Sequence, residues 1–238
     1  MSSERALPEW ISYYAGLIAK GLQTTLSLLL ISAVLGFALA VLVALARLSR
    51  RKWLARGALA YTSVLRGTPL LIQIYIFYYG LGSLFAQFPM IRGSFLWPYL
   101  RDGYWYIVFA LVLSVGAYVG EVIRGGLLAV PKGEMEAASA FGMTPRQALL
   151  RVRLPRAMRL LLPTLAGETV MLLKSTALAS TIAVVDLLGA ANVVRAQTLQ
   201  IYQPLLLVAA VYLCLTFLIE GVYAIAERRG TPLRRSAG

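Results

Sequence analysis

Few side chains in this sequence are able to act as catalysts or metal ligands. The 238-residue chain has no histidine and a single cysteine, Cys214, so it lacks the commonest general base and cannot form an intrachain disulfide. It contains no Ser/His/Asp or Cys/His set, no metal-ligand cluster and no G-x-x-x-x-G-K-[ST] phosphate loop. Two acids remain, Glu121, which directly follows one apolar stretch, and Glu168, which lies inside another. They could act together as an acid–base pair, or one of them could bind a cationic ligand.

The composition indicates the environment in which these acids lie. Hydrophobic residues make up 59% of the chain, and the mean hydropathy is +0.74, far above ordinary soluble proteins. An excess of 23 Lys+Arg over 10 Asp+Glu could suggest a nucleic-acid binder. The charges, however, occur in short clusters between uncharged runs, which is typical of loops in a membrane protein. The sequence therefore predicts an integral membrane protein.

Five apolar segments are long enough, or nearly so, to cross a bilayer, which takes roughly 20 helical residues for a core of about 30 Å. Four are uncharged, whereas the fourth in chain order contains Glu168 and Lys174, which neighbouring segments could shield. The predicted spans are residues 22–46, 67–91, 104–120, 160–185 and 196–219. The predicted fold class is all-α, with five transmembrane helices.

The distribution of basic residues predicts the orientation of the five spans. Cytoplasmic segments carry an excess of Lys and Arg, and an odd number of spans places the termini on opposite sides. The basic clusters follow the first, third and fifth spans: Arg47, Arg50, Arg51, Lys52 and Arg56; Arg124, Lys132, Arg146, Arg151, Arg153, Arg156 and Arg159; Arg228, Arg229, Arg234 and Arg235. The other segments hold only Arg5, Lys20, Arg92, Arg101 and Arg195. The N-terminus is therefore predicted outside and the C-terminus in the cytoplasm.

The domain organisation predicted from this pattern is a single membrane domain with short flanks. Residues 1–21 lack the features of a cleaved signal peptide and are predicted to form an extracytoplasmic, interfacial segment with Trp10, Tyr13 and Tyr14 at headgroup level. Residues 22–227 form the transmembrane domain, with a cytoplasmic loop at about 125–159, and residues 228–238 a basic cytoplasmic tail. Small residues at 116, 117 and 120 predict close helix packing.

The long cytoplasmic loop has the local signals of two short helices separated by a break. Residues 134–141 are good helix formers, and Gly142 is suited to end that helix. A second helix is predicted to begin after Thr144, with Pro145 at its first position and Gln147 completing a capping box. The first helix offers the small side chains of residues 137, 138 and 140, with arginines at 146, 151, 153 and 156 around it. This pattern predicts a docking element, although alone the arginines could equally be topology signals and the alanines helix filler.

The sequence PKGEMEAASAFGM, followed by RVRLP, resembles the EAA loop of bacterial ABC-importer permeases. The resemblance extends over about residues 21–227 to the polar-amino-acid permeases, through RGTPLLIQIYIFYYGLG at 66–82, GAYVGEVIRGGLLAVPKG at 116–133 and LPTLAGETVMLLKSTALASTIAVVDLLGAA at 162–191. The sequence departs from the family at Glu134, where Gln is frequent, at Phe141, where Leu is frequent, and at Gly167, where Asn is common.

The resemblance implies a type I ABC-importer permease fold in the bacterial cytoplasmic (inner) membrane. It implies a transport subunit, not an enzyme, for amino acids, with polar or basic amino acids or opines favoured. The implied partners are an ATP-binding subunit dimer, a second permease subunit, identical or homologous, and an extracytoplasmic solute-binding protein. ATP and Mg would be used by the partner ATPase, and this chain would bind no cofactor or metal. The implied coupling residues are Gly133, Glu136, Ala137, Ala138, Gly142, Leu154 and Pro155.

Three residues are candidates for substrate contact. Glu168 lies eight residues, about 12 Å, beyond residue 160 and thus near the middle of the predicted fourth span. An acid is costly there, and it could pair with the cation of an amino acid, although a hydrogen bond to a neighbouring span is an alternative. Pro69 breaks the second segment and would expose backbone groups to a cavity with Thr68 and Gln73. The alternative there is an interfacial bend, with Arg66 reaching towards headgroups.

Two other classes of protein remain open from the residues alone. A secondary amino-acid transporter would usually show paired halves with interrupted spans, which these five unlike segments do not show. A membrane-embedded carboxylate enzyme would need Glu121 and Glu168 at one site, yet Arg124, one helical turn from Glu121, is a simpler partner for that acid. The sequence leaves undetermined which amino acid is carried, whether the permeases are identical, whether the binding protein is tethered, and what Lys174 does.

Overall fold

The computed structural model describes the backbone of residues 6–230 and the side chains of residues 14–228. Over this part of the chain the regular structure is entirely helical. The α-helices are α1 (Ala6–Arg47), α2 (Lys52–Gly67), α3 (Leu70–Tyr75), α4 (Gly82–Gln87), α5 (Pro89–Arg92), α6 (Trp97–Leu100), α7 (Gly103–Ala129), α8 (Lys132–Ala140), α9 (Pro145–Ala148), α10 (Leu154–Ser175), α11 (Leu187–Thr198) and α12 (Tyr202–Gly230). Two π-helical segments, Ile76–Leu81 and Leu149–Arg153, and a 3-10 segment, Thr176–Ile182, join some of them.

The prediction of five spans agrees with the helices that are long and apolar enough to cross a membrane. Four such stretches are Tyr14–Arg47, Leu70–Gln87, Gly103–Ala129 and Tyr202–Arg228. A fifth is reached when Pro145–Ile182 and Leu187–Thr198, two helical stretches bent by 47° at a short break, are counted as one span. The all-α membrane class and the approximate places of the spans are therefore confirmed.

Several predicted span limits differ from the helix ends. The first helix already begins at Ala6, and the third continues past Gly120 to Ala129 because ion pairs stabilise the charges of Glu121 and Arg124. The last span begins at Tyr202 and not at 196, because Leu199, with φ of 57°, ends α11. The predicted loop of about 125–159 likewise overlaps α7 and α10.

The predictions for the two flanks fall largely outside the residues whose side chains are described. This applies to the interfacial positions of Trp10 and Tyr13 and to the basic tail beyond Arg228. The domain limits at 21 and 227 accordingly stay predictions.

The chain forms two compact units, whose boundaries fall within α1, α7, α10 and α12 and at the break between α2 and α3. The first comprises Met1–Val34, Thr68–Val112 and Leu172–Thr216. Its buried cluster of Leu187, Ala191 and Val208 packs with Leu22 and Tyr212, among others. The break before α11 is held by the fully buried Asp186, whose carboxylate accepts hydrogen bonds from the backbone N–H of Gly189 at 2.9 Å and of Leu188 at 3.3 Å. Tyr212 donates to the same carboxylate at 3.3 Å.

The second unit comprises Leu35–Gly67, Leu113–Met171 and Phe217–Gly238. Its core is formed by Ala40, Ala44, Val119, Ile123, Leu127, Val130, Ala157, Leu161 and Leu165. Glycines let α7 pack closely, since a Cβ at Gly116 would lie 2.6 Å from Leu39 and one at Gly120 would lie 2.9 Å from Val43. Ala117, between them, is fully buried. The predicted close packing by residues 116, 117 and 120 is confirmed.

Candidate functional site: a charged cavity and a helical loop

The interhelical loop (residues 130–153) contains the predicted helix break. Helix α8 ends at Ala140, and Gly142 adopts a left-handed conformation with φ of 74°. The N–H of Gly142 donates to Ser139 O at 2.9 Å and that of Met143 to Ala138 O at 3.1 Å, which together form a Schellman motif. Gly142 therefore ends α8 as predicted, and its conformation is one that glycine adopts without the steric cost of a Cβ.

The second helix of the interhelical loop begins with the predicted capping box. The backbone N–H of Thr144 donates to Gln147 Oε1 at 2.9 Å, and the N–H of Gln147 donates to Thr144 Oγ1 at 3.3 Å. Pro145 occupies the first position of α9. These reciprocal bonds fix the direction in which the chain leaves the break at Gly142.

The exposure of the side chains refines the predicted docking surface. Ala137 and Ala140 are exposed, whereas Ala138 is only 4% exposed and faces the protein's own interior. The interpretation of Ala138 as a freely presented small side chain is therefore wrong, while its role in coupling stays a prediction. Phe141, at the end of α8, is 85% exposed. In the sequence Phe141 stands out only as a departure from the family, although an aromatic residue directly before a helix-ending glycine is a signal for an exposed anchor.

The four arginines that were predicted to surround the docking element, at positions 146, 151, 153 and 156, differ in their contacts and exposure. Arg153 Nε donates to Leu127 O at 2.7 Å, and Arg156 Nε lies 3.3 Å from Glu134 Oε1. Arg146 and Arg151 are exposed. Two of the four arginines thus stabilise the loop itself, and two extend from its surface.

The remaining predicted coupling residues lie near or within this loop. Gly133 and Glu136 are exposed on α8, and Leu154 and Pro155 are exposed at the start of α10. A Cβ at Gly133 would meet no atom within 4 Å, so this glycine is not required by packing within the chain.

Glu121 is the centre of an ion-pair cluster. Its Oε1 lies 2.6 Å from Arg47 Nε, its Oε2 lies 2.7 Å from Arg124 Nε, and Thr62 Oγ1 donates to it at 3.4 Å. The pairing with Arg124 is confirmed, and the contact with Arg47, 74 positions earlier, was not predicted. Both oxygens of this carboxylate are engaged by guanidinium groups, so it is poorly placed to act as a general base.

A charged cavity of about 280 Å³ lies in the second unit beside this cluster. It is lined by Arg66, Tyr118, Glu121, Val122, Arg124 and Glu168. The guanidinium carbon of Arg66 lies 5.4 Å from the ring centroid of Tyr118, whose hydroxyl donates to Arg66 O at 3.3 Å. The cavity thus presents charges of both signs. Among the described residues no three or more His, Cys, Asp or Glu side chains are grouped to hold a metal ion.

The structure brings two of the three predicted substrate residues together at the break between α2 and α3, just before the second span begins at Leu70. Gln73 Nε2 donates to Thr68 Oγ1 at 2.8 Å and to Thr68 O at 3.1 Å. The break between α2 and α3 is as predicted, and Gln73, 5% exposed, satisfies a carbonyl outside the helices. Thr68 and Gln73 do not line the charged cavity with Glu168. Their contact with substrate stays a prediction, and Lys174, whose role the sequence left undetermined, is exposed.

These features define a multi-span helical membrane protein with a polar cavity and an exposed helical loop, as expected of a subunit that transports solutes with the help of a partner. Residues 32–231 match the family of binding-protein-dependent transport system inner membrane components. The chain belongs to this family, and it is a permease subunit of an ABC transport system that works with an ATPase and a binding protein. Of the alternatives, the carboxylate enzyme and the secondary transporter are excluded, because the family consists of components of binding-protein-dependent transport.

Individual relatives agree over nearly the whole chain. The octopine transport system permease protein OccM of Rhizobium radiobacter is 40% identical over 227 residues, covering 95% of this chain and 90% of the relative. The histidine/lysine/arginine/ornithine transport system permease protein HisM of Escherichia coli K12 is 36% identical over 210 residues, which cover 88% of this chain and 87% of the relative. A crystal structure of an amino acid ABC transporter with histidines has a TM-score of 0.80 and 32% identity over 92% of this chain and 96% of that chain. The predicted type I ABC-importer permease fold is confirmed.

Proposed function

We propose that this permease imports basic amino acids or opines, and that Glu168 in the charged cavity binds the cationic group of the substrate. The observation that carries the proposal is the position of Glu168, a half-buried carboxylate on α10 that lines the cavity. A carboxylate in such a place forms charge-assisted hydrogen bonds with ammonium or guanidinium groups. The names of OccM and HisM, which refer to octopine and to basic amino acids, support this substrate class.

The proposed assembly contains two permease subunits, identical or homologous, two ATP-binding subunits and an extracytoplasmic solute-binding protein. ATP and Mg are bound by the ATPase, and this chain contributes the path and the docking surface. The proposed coupling residues are Gly133, Glu136, Ala137, Ala138, Gly142, Leu154 and Pro155, with Phe141 added by its exposure. Purification of the tagged chain should recover a stoichiometric ATPase; recovery of the chain alone under mild detergent would contradict this assembly.

The proposed orientation places the N-terminus outside and the interhelical loop in the cytoplasm, supported by the arginine bias. Cysteines placed at Ser2 and Ser236, both outside the described residues, test it after replacement of Cys214. An impermeant thiol reagent should label the first in intact cells and the second only after permeabilisation. The reverse pattern would refute the orientation.

The substrate proposal is tested by Glu168→Gln, which keeps the shape of the side chain and removes its charge. Reconstituted with its partners, the variant should lose uptake of arginine, lysine and octopine by about 10-fold or more, since a hydrogen bond to a charged group contributes about 1.5–3 kcal/mol. Uptake of glutamine should change less. Glu220→Gln, at an exposed acid of α12, is the matched control. Unchanged selectivity in Glu168→Gln would remove this residue from the substrate site.

A further inference from the structure

Two charged residues of the cavity are not used by the ion-pair cluster. Arg66 and Glu168 both line the cavity, yet neither forms an ion pair within 4.0 Å with another side chain in the described part of the chain. Glu121, by contrast, is engaged by both Arg47 and Arg124. The cavity therefore holds one cation and one anion that attract each other across it but form no direct ion pair, so a ligand that carries both charges can contact each of them.

Tyr118 holds Arg66 in place. The guanidinium group lies over the ring, and the Tyr118 hydroxyl donates to the backbone carbonyl of Arg66, so α7 fixes both ends of this residue of α2. A cation over an aromatic face is stabilised by the ring quadrupole and keeps its N–H groups free to donate at the edge. The planar fork of a guanidinium group matches the two oxygens of a carboxylate. An arginine held in this way is suited to receive an anion.

The neighbouring cluster adds to this preference. Two guanidinium groups share the single carboxylate of Glu121, so the cluster carries a net positive charge. Arg124, which also lines the cavity, contacts Glu121 through Nε at 2.7 Å. The field of this cluster favours an anionic group in the cavity.

We propose that Arg66, positioned by Tyr118, binds the carboxylate of the transported molecule while Glu168 binds its cationic group. The proposal rests on the proposed function for the site of Glu168, and it adds a second recognition point. The site then recognises the carboxylate that every amino acid carries, and it discriminates against amines that lack one, such as amino-acid amides. The competing interpretation is that Arg66 extends towards lipid headgroups and does not contact the substrate.

The test measures binding to the purified permease–ATPase complex in lipid nanodiscs without binding protein, because the binding protein makes its own selection. The probes are L-arginine and L-argininamide, L-glutamine and L-glutaminamide, and octopine. Each amide keeps the side chain and lacks the carboxylate. In the wild type the acid of each pair should bind about 10- to 100-fold more tightly than the amide, as for a charge-assisted hydrogen-bonded pair.

In Arg66→Gln the acid should bind only as tightly as its amide, and binding of L-argininamide should stay unchanged, which also shows that the cavity is intact. Arg66→Lys should retain part of the preference for the acid over its amide, because lysine keeps the positive charge. Tyr118→Leu should lose part of the same preference, because Arg66 is then no longer held in place. Arg56→Gln, at an exposed arginine of the same helix, is the matched control and should behave as the wild type.

The outcomes separate this proposal from the role of Glu168. If Arg66→Gln keeps the full preference for acids over amides, the carboxylate site is refuted, whatever Glu168→Gln does. If Glu168→Gln keeps the preference for arginine over glutamine while Arg66→Gln loses the preference for acids, the role of Glu168 fails and that of Arg66 stands. A wild-type complex that binds none of the probes would contradict both.

Discussion

The interhelical loop and the charged cavity belong to the same unit but are built from very different spans of sequence. In the loop, the break at Gly142 and the capping box from Thr144 to Gln147 use residues at most five positions apart. In the cavity, Arg66, Tyr118 and Glu168 come from three helices, and each is about 50 positions from the next. The loop geometry follows from local backbone preferences, whereas the cavity exists only after α2, α7 and α10 have packed.

The largest effect is expected in the wall of the cavity, where a single substitution removes the shared partner of two arginines. Glu121→Gln leaves Arg47 and Arg124 facing each other and should lower the free energy of unfolding by about 3 kcal/mol, since breaking a largely buried ion pair leaves uncompensated charge. Thermal unfolding of this subunit within the purified permease–ATPase complex in detergent measures the change.

The matched control for Glu121→Gln lies in the loop region. Glu134→Gln removes an exposed ion pair with Arg156, whose side chains are 36% and 48% exposed, and should cost less than about 1 kcal/mol. Equal shifts for the two variants would show that the cavity wall depends no more on tertiary ion pairing than the loop does.

A smaller effect on stability, but a large one on transport, is expected at Gly142. Gly142→Val places a β-branched side chain in a left-handed conformation, which costs about 1–2 kcal/mol and favours a different exit from α8. The chain should still insert, while ATP-driven uptake in proteoliposomes falls by about 10-fold or more, the equivalent of about 1.4 kcal/mol of lost docking.

Gly57→Val is the control for Gly142→Val, because this glycine lies in α2 and a Cβ there meets no atom within 4 Å. It should transport as the wild type does. Normal ATPase binding and normal uptake in Gly142→Val would show that the geometry of the break is not needed for coupling.

The smallest effect is expected from the capping box. Thr144→Ala removes one of its two hydrogen bonds and should destabilise α9 by about 1 kcal/mol. Hydrogen exchange should become faster at the backbone amide of Gln147. It should stay unchanged at the amide of Leu187, which donates a hydrogen bond to Thr25 Oγ1; both of these residues belong to the first unit. Faster exchange at both amides would mean that the loop is not locally determined.

The sequence predicted the features that depend on neighbouring residues, and it missed several that depend on helix packing. The approximate places of the spans and the break before Pro69 were predictable because hydropathy and proline act locally. The start of the last span was misplaced, because a non-glycine residue, Leu199, takes a left-handed conformation that no local signal indicates. The burial of Ala138 was also missed, since an alanine on a short helix faces inward or outward according to what packs against that helix.

The sequence by itself therefore determined the membrane class, the helical architecture, and the turn and capping geometry of the interhelical loop. Each of these follows from hydrophobicity summed over a segment or from the backbone preferences of neighbouring residues. Only the tertiary structure decided that Glu121 is shared by two arginines, that Arg66 lies over Tyr118, and that Glu168 lines the same cavity. The physical reason is that electrostatic partners are selected by distance in space, and residues about 50 positions apart become neighbours only through helix packing.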